Sequence, residues 1–206
     1  METQRYEQLG VPSTRSVLEG GLTVWTAERP SKEVAVQVVF PIGWNDDGEH
    51  PELHHLMEHV LYTGPAADGV HPRMRHLISR GVHGNASTSD CYTEYWLSGA
   101  QEDGVAMVHA LLNIVFDGDV QANAVDTQRA AVAQEKHDRE PGRRVPRWRR
   151  GVLYSNNAAV QIPMVERSVT SVRTLPLATL TACYERDYHP NHAALIIAGG
   201  MTHGAV

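Results

Sequence analysis

The stretch that decides the fold and the chemistry is HHLMEHVLYTG, residues 54–64, in which two histidines and a glutamate interrupt an apolar run. Its apolar spacing predicts a helix from Leu53 to Thr63, ended by the Gly-Pro pair that follows. His55 and His59 are four residues apart, so a helix places them on one face, one turn from each other. Two imidazoles in that arrangement can share one metal ion.

The glutamate in this stretch points to hydrolytic chemistry. Glu58 stands three residues after His55 and next to His59, where its carboxylate can reach a water at the ion without ligating the metal. The order H-x-x-E-H is that of the inverzincin peptidases, the reverse of the commoner H-E-x-x-H. Because the pattern has few fixed positions and the chain has 12 histidines, a zinc site and a chance arrangement are equally good interpretations of the pattern alone.

A catalytic zinc usually takes three protein ligands, so a third ligand is expected on another element. The candidate is Glu135, which lies 76 residues after His59 (135 minus 59) on a helix predicted over 123–140. A glutamate on the helix surface is the alternative interpretation. His137 and Asp138 are competing ligands in the same helix.

Length and composition predict a folded protein that binds neither nucleic acid nor a membrane. The 206 residues are 42% hydrophobic and 20% charged, which fits one domain with a substantial core. A formal net charge of -6 provides no overall basic field for nucleic acid. The polar start of the chain contains no signal-peptide core, and no apolar run is long enough to span a bilayer.

Two local features carry predictions of their own. The one basic cluster is RRVPRWRR, residues 143–150, which is predicted to be a solvated arginine-rich loop. Cys91 and Cys183 are the only cysteines and lie far apart in the sequence, so they are predicted to be reduced, buried thiols. Reduced thiols fit a cytoplasmic location.

The rest of the chain predicts an α+β fold with a largely antiparallel sheet packed with helices. Helices and strands are mixed without a strict βαβ rhythm, which argues against a parallel sheet. The helix over 123–140 is predicted to end before Pro141, and residues 141–173 receive no assignment. Strands are predicted over 21–28, 33–43 and 192–200 and, with a turn inside, over 84–99; further helices are predicted over 71–81, 101–118 and 175–188.

Four stretches in order resemble segments of the pitrilysin family, which includes insulin-degrading enzymes and mitochondrial processing peptidases. GEHPELHHLMEHVLYTGP (48–65) resembles the family's zinc helix, and GNASTSDCYTEYW (84–96) resembles the family's Asn-Ala-x-Thr strand followed by Thr-x-Tyr. TQRAAVAQE (127–135) resembles the helix that delivers the third ligand. LATLTACYERDYHPNHAALIIAGG (177–200) resembles the end of the catalytic domain, so the likeness covers most of residues 20–200.

The resemblance implies a zinc endopeptidase that hydrolyses small or extended peptides. The size and composition of the chain suggest a role in peptide maturation or leader removal. On this basis His55, His59 and Glu135 bind Zn2+, and Glu58 is the general base. GNAST would be an edge strand that binds the substrate peptide by β-augmentation, and an ordinary sheet edge is the alternative interpretation. The substrate-binding residues would be Gly84, Asn85, Ala86, Ser87 and Thr88.

Two departures from the family pattern affect these expectations. Gln128 stands where the family usually has a second glutamate, seven residues before the third ligand, so the outer partner on that side carries no charge. Family members normally carry a second, catalytically silent domain, whereas residues 1–206 are predicted to be a single zinc metallopeptidase-like domain with its core at about 20–200. We therefore expect a half-unit that forms a homodimer or a heteromeric complex with another pitrilysin-like chain.

Two other functions remain open from the sequence. A non-catalytic partner subunit or peptide-binding module of such a complex is favoured by Gln128 and the missing second domain, and disfavoured by the intact ligand set. A metal-storage or sensor protein is suggested by further histidines, which follow no ligand spacing of their own; these are His50, His54, His71, His76 and His83.

Overall fold

A computed structural model describes residues 3–8, 11–66, 70–118, 120–153 and 165–205 of the chain. These residues form a seven-stranded sheet and six α-helices. The strands are β1 Thr3–Gln8, β2 Val11–Val17, β3 Thr23–Glu28, β4 Glu33–Phe40, β5 His83–Thr88, β6 Thr93–Ala100 and β7 Ala194–Gly199. The helices are α1 Leu53–Thr63, α2 Arg75–Ser79, α3 Gly104–Val115, α4 Ala122–Leu153, α5 Val165–Thr174 and α6 Leu177–Asp187.

The sheet is mixed but largely antiparallel, which confirms the α+β fold predicted from the sequence. Its strand order is β1-β2-β3-β7-β4-β6-β5. Among the described strands, β3 and β7 are the one parallel pair, and every other neighbouring pair is antiparallel. β7 therefore lies between β3 and β4, and β5 forms the edge of the sheet beside β6.

The core lies between the sheet and the helices. Alternate residues of β4 are buried, from Val34 through Val36 and Val38 to Phe40, because successive side chains of a strand point to opposite faces. α1 and α3 pack on the sheet, and Leu56 of α1 is fully buried. This burial fixes the rotation of α1 and therefore decides which of its side chains point toward α4.

Most predicted elements are confirmed. α1 spans the predicted residues, and β3, β4, β7, α3 and α6 lie within their predicted ranges. The segment 84–99 is the hairpin of β5 and β6, as its internal turn predicts. The helix predicted over 71–81 is instead a single 3-10 turn, Pro72–Met74, followed by the five residues of α2.

The two cysteines differ in their surroundings. Cys91 lies in the turn between β5 and β6 and is exposed, so the prediction of a buried thiol is wrong for this residue. Side chains at a hairpin turn face water because the chain reverses there, outside the packed layers. Cys183 is buried in α6, as predicted, and both cysteines are free thiols.

β1 and β2 are absent from the sequence-based expectations. Their residues are mostly polar, and only Ser16 of β2 is buried among its described side chains. The alternation of apolar and polar residues by which a strand is recognised is therefore missing. β2 is held instead by backbone pairing to β3, in a register that places Thr14 opposite Thr26. Backbone hydrogen bonds of this kind do not depend on the side chains.

The long helix α4 corrects two expectations. It continues past Pro141 to Leu153, so the helix does not end where predicted and residues 143–150 are helical rather than a loop. A proline removes one backbone N–H and one hydrogen bond, but a helix supported by packing can continue on both sides. α5, against which α4 packs, lies in the region for which the sequence predicts no element.

Across the described residues, the helices are too short or too polar to cross a bilayer.

Candidate metal centre

The start of α1 is capped by a residue that precedes it. The Asp47 carboxylate accepts hydrogen bonds from the backbone N–H groups of Glu52 (2.7 Å) and His54 (3.0 Å). Donors at a helix start have no partner within the helix, so a nearby carboxylate stabilises them. Because Asp47 fills this role, the side chain of Glu52 makes no cap hydrogen bond and contacts His55 instead.

His55, His59 and Glu135 converge on one point. The Glu135 Oε2 atom lies 3.7 Å from His55 Nε2 and 3.3 Å from His59 Nε2, and the two imidazole centroids are 5.0 Å apart. A tetrahedral zinc site with bonds of about 2.1 Å separates its ligand atoms by about 3.4 Å. Two imidazole nitrogens and a carboxylate oxygen at these separations fit a zinc ion. The competing candidates His137 and Asp138 are exposed on α4.

The position of Glu135 follows from the buried stripe of α4. Val125, Gln128 and Val132 are buried at intervals of three and four residues, which is the spacing of one helix face. This face packs against α1, and Glu135 extends it by one position of the same repeat. Arg129 secures α4 by donating to two carbonyl oxygens at and just beyond the end of α5, each at 2.5 Å.

Each histidine of the pair is held through its other ring nitrogen. His55 Nδ1 donates to Glu52 Oε2 at 3.0 Å, and His59 Nδ1 donates to Gln128 Oε1 at 3.4 Å. Gln128 in turn donates to the carbonyl oxygen of Gly64 at 3.3 Å. With Nδ1 protonated, each Nε2 keeps its lone pair for a metal. Such outer partners set the ring orientation of metal-binding histidines.

Two residues of the site escape prediction from the sequence. Glu52 and Lys136 are both buried, and Lys136 Nζ lies 2.7 Å from Glu52 Oε2. Burial alone would raise the pKa of Glu52, but the hydrogen bond from His55 and the Lys136 ammonium lower this pKa to about 2. The carboxylate is therefore charged. The one sequence feature that indicates Glu52 is its position three residues before His55. Side chains at this separation are neighbours on a helix.

Glu58 lies between the histidine pair and β5. The Thr88 hydroxyl donates to Glu58 Oε2 at 2.9 Å. Burial raises the pKa of Glu58, although His55, His59 and the Thr88 hydrogen bond act in the opposite direction. A carboxyl group with a raised pKa accepts and returns a proton closer to neutral pH than an exposed one does.

A cavity of about 450 Å3 joins these groups to the edge of the sheet. Its wall contains the four groups at positions 55, 58, 59 and 135 and also residues 85–88 of β5, four of the five predicted substrate-binding positions. Gly84 is the fifth and packs tightly, since a Cβ atom there would lie 2.5 Å from the carbonyl oxygen of Trp96. β5 pairs with β6 on one side, so its other side offers backbone groups at the cavity.

A second cluster of potential ligand atoms lies on the opposite side of α1. His54, Cys183 and Asp187 bring ligand atoms within 4.8 Å of one another. His54 Nδ1 lies 2.8 Å from Asp47 Oδ1 and Nε2 lies 3.2 Å from Asp187 Oδ2. Burial would lower the pKa of His54, but Asp47 and Cys183 raise this pKa to about 10. Both ring nitrogens are therefore protonated at neutral pH, and the cluster is an ion-pair network that joins α1 to α6.

Comparison with known proteins identifies relatives that are named as peptidases. No family model matches the chain. The chain is 25% identical to the mitochondrial-processing peptidase subunit beta of Blastocladiella emersonii over 95% of its own length and 43% of that protein. It is also 25% identical to a zinc protease of Streptomyces coelicolor, over 93% of its length and 42% of that protein. The chain thus spans less than half the length of these curated relatives.

Solved structures share the fold. An M16-like peptidase from Alicyclobacillus acidocaldarius superposes with a TM-score of 0.76 at 25% identity, covering 96% of this chain and 48% of that chain. The first half of the periplasmic protease PqqL from Escherichia coli superposes with a TM-score of 0.78 at 21% identity, covering 92% and 43%. Pitrilysin superposes with a TM-score of 0.76 at 18% identity, covering 97% and 21%.

The ion pairs of His54 predict a pH dependence of stability. A group whose pKa is raised by folding stabilises the fold fully below its unfolded pKa of about 6.5 and loses that contribution as the pH rises through its folded pKa. The folded pKa of His54 is about 10. The difference in the free energy of unfolding between wild type and His54→Gln, here called the stability gap, should therefore decrease from pH 6.5 to pH 9.5. Urea unfolding in chelator measures this gap, which should shrink by more than about 1 kcal/mol.

A matched control is the exposed His76 of α2. His76→Gln should change the free energy of unfolding little at either pH. A His54→Gln gap that stays constant across the pH range would contradict the ion-pair network.

Proposed function

We propose that the chain is a member of the pitrilysin family and a zinc endopeptidase with the ion held by His55, His59 and Glu135. The observation that carries the proposal is the approach of Glu135 Oε2 to both imidazole Nε2 atoms, at 3.7 Å and 3.3 Å. The relatives are named as zinc proteases and processing peptidases, which supports peptide-bond hydrolysis as the reaction. Two imidazoles and one carboxylate form a ligand set typical of catalytic zinc in peptidases.

Zinc in this position would supply Lewis-acid polarisation of the scissile carbonyl and lower the pKa of a bound water to about 7. Glu58 is the general base in this proposal: its carboxylate takes the proton of the attacking water and returns it to the leaving amine. The Thr88 hydrogen bond at 2.9 Å holds the carboxylate in place. Burial, which raises the pKa of Glu58, makes the carboxylate a stronger base and so favours its uptake of that proton.

The substrate in this proposal is an extended peptide bound along β5. The strand is at the sheet edge beside the cavity, and an edge strand can pair with a peptide through its backbone N–H and C=O groups. Pairing of this kind requires the peptide to be extended. The proposal therefore includes small or unfolded peptides, as in peptide maturation or leader removal, rather than folded proteins.

The working enzyme in this proposal contains a second domain of the same family. The relatives are more than twice as long as the region that the chain matches, since it covers 43% and 42% of them. A second copy of this chain or another pitrilysin-like chain could supply that domain and close the cavity over the peptide. Closure of this kind excludes water and orients the substrate.

Metal content tests the ligand set. We expect about one zinc per wild-type chain, and Glu135→Ala should lose most of it because two imidazoles alone bind zinc weakly. The matched control is His137→Ala, which changes an exposed neighbour on the same helix and should keep the metal. Elemental analysis of dialysed protein measures all three. A wild-type chain without zinc would favour a non-catalytic subunit, and zinc retained by Glu135→Ala would place the third ligand elsewhere.

Peptidase activity tests the role of Glu58. Glu58→Gln keeps the size and the Thr88 contact but cannot take a proton, so zinc content should stay constant while kcat falls by about 10²–10⁴-fold. Cleavage of an unfolded peptide, followed by mass spectrometry, measures this loss. The same segment inside a folded protein should resist cleavage. Near wild-type activity of Glu58→Gln would eliminate the proposed mechanism.

Sedimentation tests the requirement for a second domain. One chain has a mass of 22.7 kDa, so a homodimer has twice that value, 45.4 kDa. We expect self-association at micromolar concentration, or full activity only after a second pitrilysin-like chain is added. A monomer that cleaves peptide at the full rate by itself would contradict the two-domain requirement.

A further inference from the structure

The two histidines of the site have different outer partners. Gln128, an uncharged amide, accepts from His59 at 3.4 Å, whereas Glu52, a charged carboxylate, accepts from His55 at the shorter distance of 3.0 Å. Charge-assisted hydrogen bonds are shorter and stronger than neutral ones. A carboxylate on the outer nitrogen of a histidine also increases the donor strength of the nitrogen that faces the metal. Of the two histidines, His55 is therefore the one whose outer partner is a negatively charged carboxylate.

The backbone of Glu52 supports a role for its side chain. This residue has φ 73° and ψ 14°, a left-handed conformation, and it is the one non-glycine residue with positive φ in the described part of the chain. Glycine adopts this conformation without the penalty that a side chain brings. Strained residues of this kind cluster at functional sites, where the surrounding structure holds them. Here the conformation directs the carboxylate to His55 and away from the helix cap.

Lys136 fixes that carboxylate in position. Its ammonium lies 2.7 Å from Glu52 Oε2 and 4.7 Å from the centre of the Trp44 ring. Both charged residues are buried, so the pair is shielded from solvent and from screening by salt. Lys136 directly follows Glu135 in α4. The ion pair between Lys136 and Glu52 therefore connects the helix that carries Glu135 to the residue that orients His55.

We propose that Glu52, held by Lys136, is a positioning residue that orients His55 and strengthens its bond to the metal. This inference rests on the proposed zinc site. Glu52 contacts neither metal nor substrate in this role and acts through the imidazole. Loss of its charge should weaken zinc binding even where the fold is intact, because the ring of His55 would lose both its fixed orientation and its anionic partner.

The test is the zinc dissociation constant, measured by chelator competition, of wild type and Glu52→Gln. We expect binding about 10–100-fold weaker in the variant, the usual effect of losing an outer partner. Glu49→Gln, an exposed acidic residue in the preceding loop, is the matched control and should bind zinc as wild type does. The visible spectrum of the cobalt-substituted protein should also change in Glu52→Gln, since it reports the ligand geometry directly.

A second pair of variants separates positioning from folding. Glu52→Gln leaves Lys136 buried without its partner, which can destabilise the fold. Glu52→Gln with Lys136→Met removes both charges, so this double variant should melt near the wild-type temperature in chelator yet still bind zinc weakly. Glu52→Gln with Gln128→Glu moves the carboxylate to the other histidine and should recover part of the lost affinity.

The outcomes distinguish this inference from the zinc site itself. The role of Glu52 would be overturned, and the zinc site kept, by one combination of results. In that combination Glu52→Gln and the double variant with Lys136→Met both bind zinc within twofold of wild type, while Glu135→Ala loses zinc. Zinc retained by Glu135→Ala would overturn the site and the inference together.

Discussion

Three histidines and a glutamate inside a buried helix are stable only if each polar group finds a partner, and α1 satisfies this constraint on two sides. On one side His54 contacts Asp47 and Asp187. On the other side the pair at positions 55 and 59 faces α4. These polar contacts and the burial of Leu56 together fix the rotation of α1. The rest of the site is arranged around a helix that can adopt one orientation.

Periodicity explains what the sequence predicts correctly. The repeat of 3.6 residues places His55 and His59 on one face of α1, and the same repeat in α4 aligns Glu135 with the buried Gln128. Apolar residues identify β3, β4 and β7 because these strands contribute to the core. Features that depend on a regular spacing and on burial can therefore be read from the chain alone, and they include the common face of His55 and His59. The choice of Glu135 over its neighbours on the helix rested on the resemblance to the pitrilysin family.

Features that depend on contacts between distant elements cannot be read in this way. Lysine is rarely buried, and Lys136 is buried only because α4 packs beside α1. Glu52 reaches His55 from a left-handed backbone conformation that nothing in the local sequence indicates. β2 lies near the sheet edge and lacks a buried stripe. Pro141 predicts the end of a helix from the local sequence, yet α4 continues beyond this residue.

The place of β7 in the sheet has a consequence for how the molecule assembles. β7 separates β3 from β4 and pairs with both, although more than 150 residues lie between it and β4 in the sequence (194 minus 40). During synthesis the sheet must remain in two parts, with the inner edges of β3 and β4 exposed, until residues 194–199 emerge from the ribosome. Such edges can pair with other chains, and contacts so distant in sequence form slowly. Aggregation before β7 pairs is thus a hazard of this topology, and the pairing of residues 194–199 with β3 and β4 removes the exposed edges.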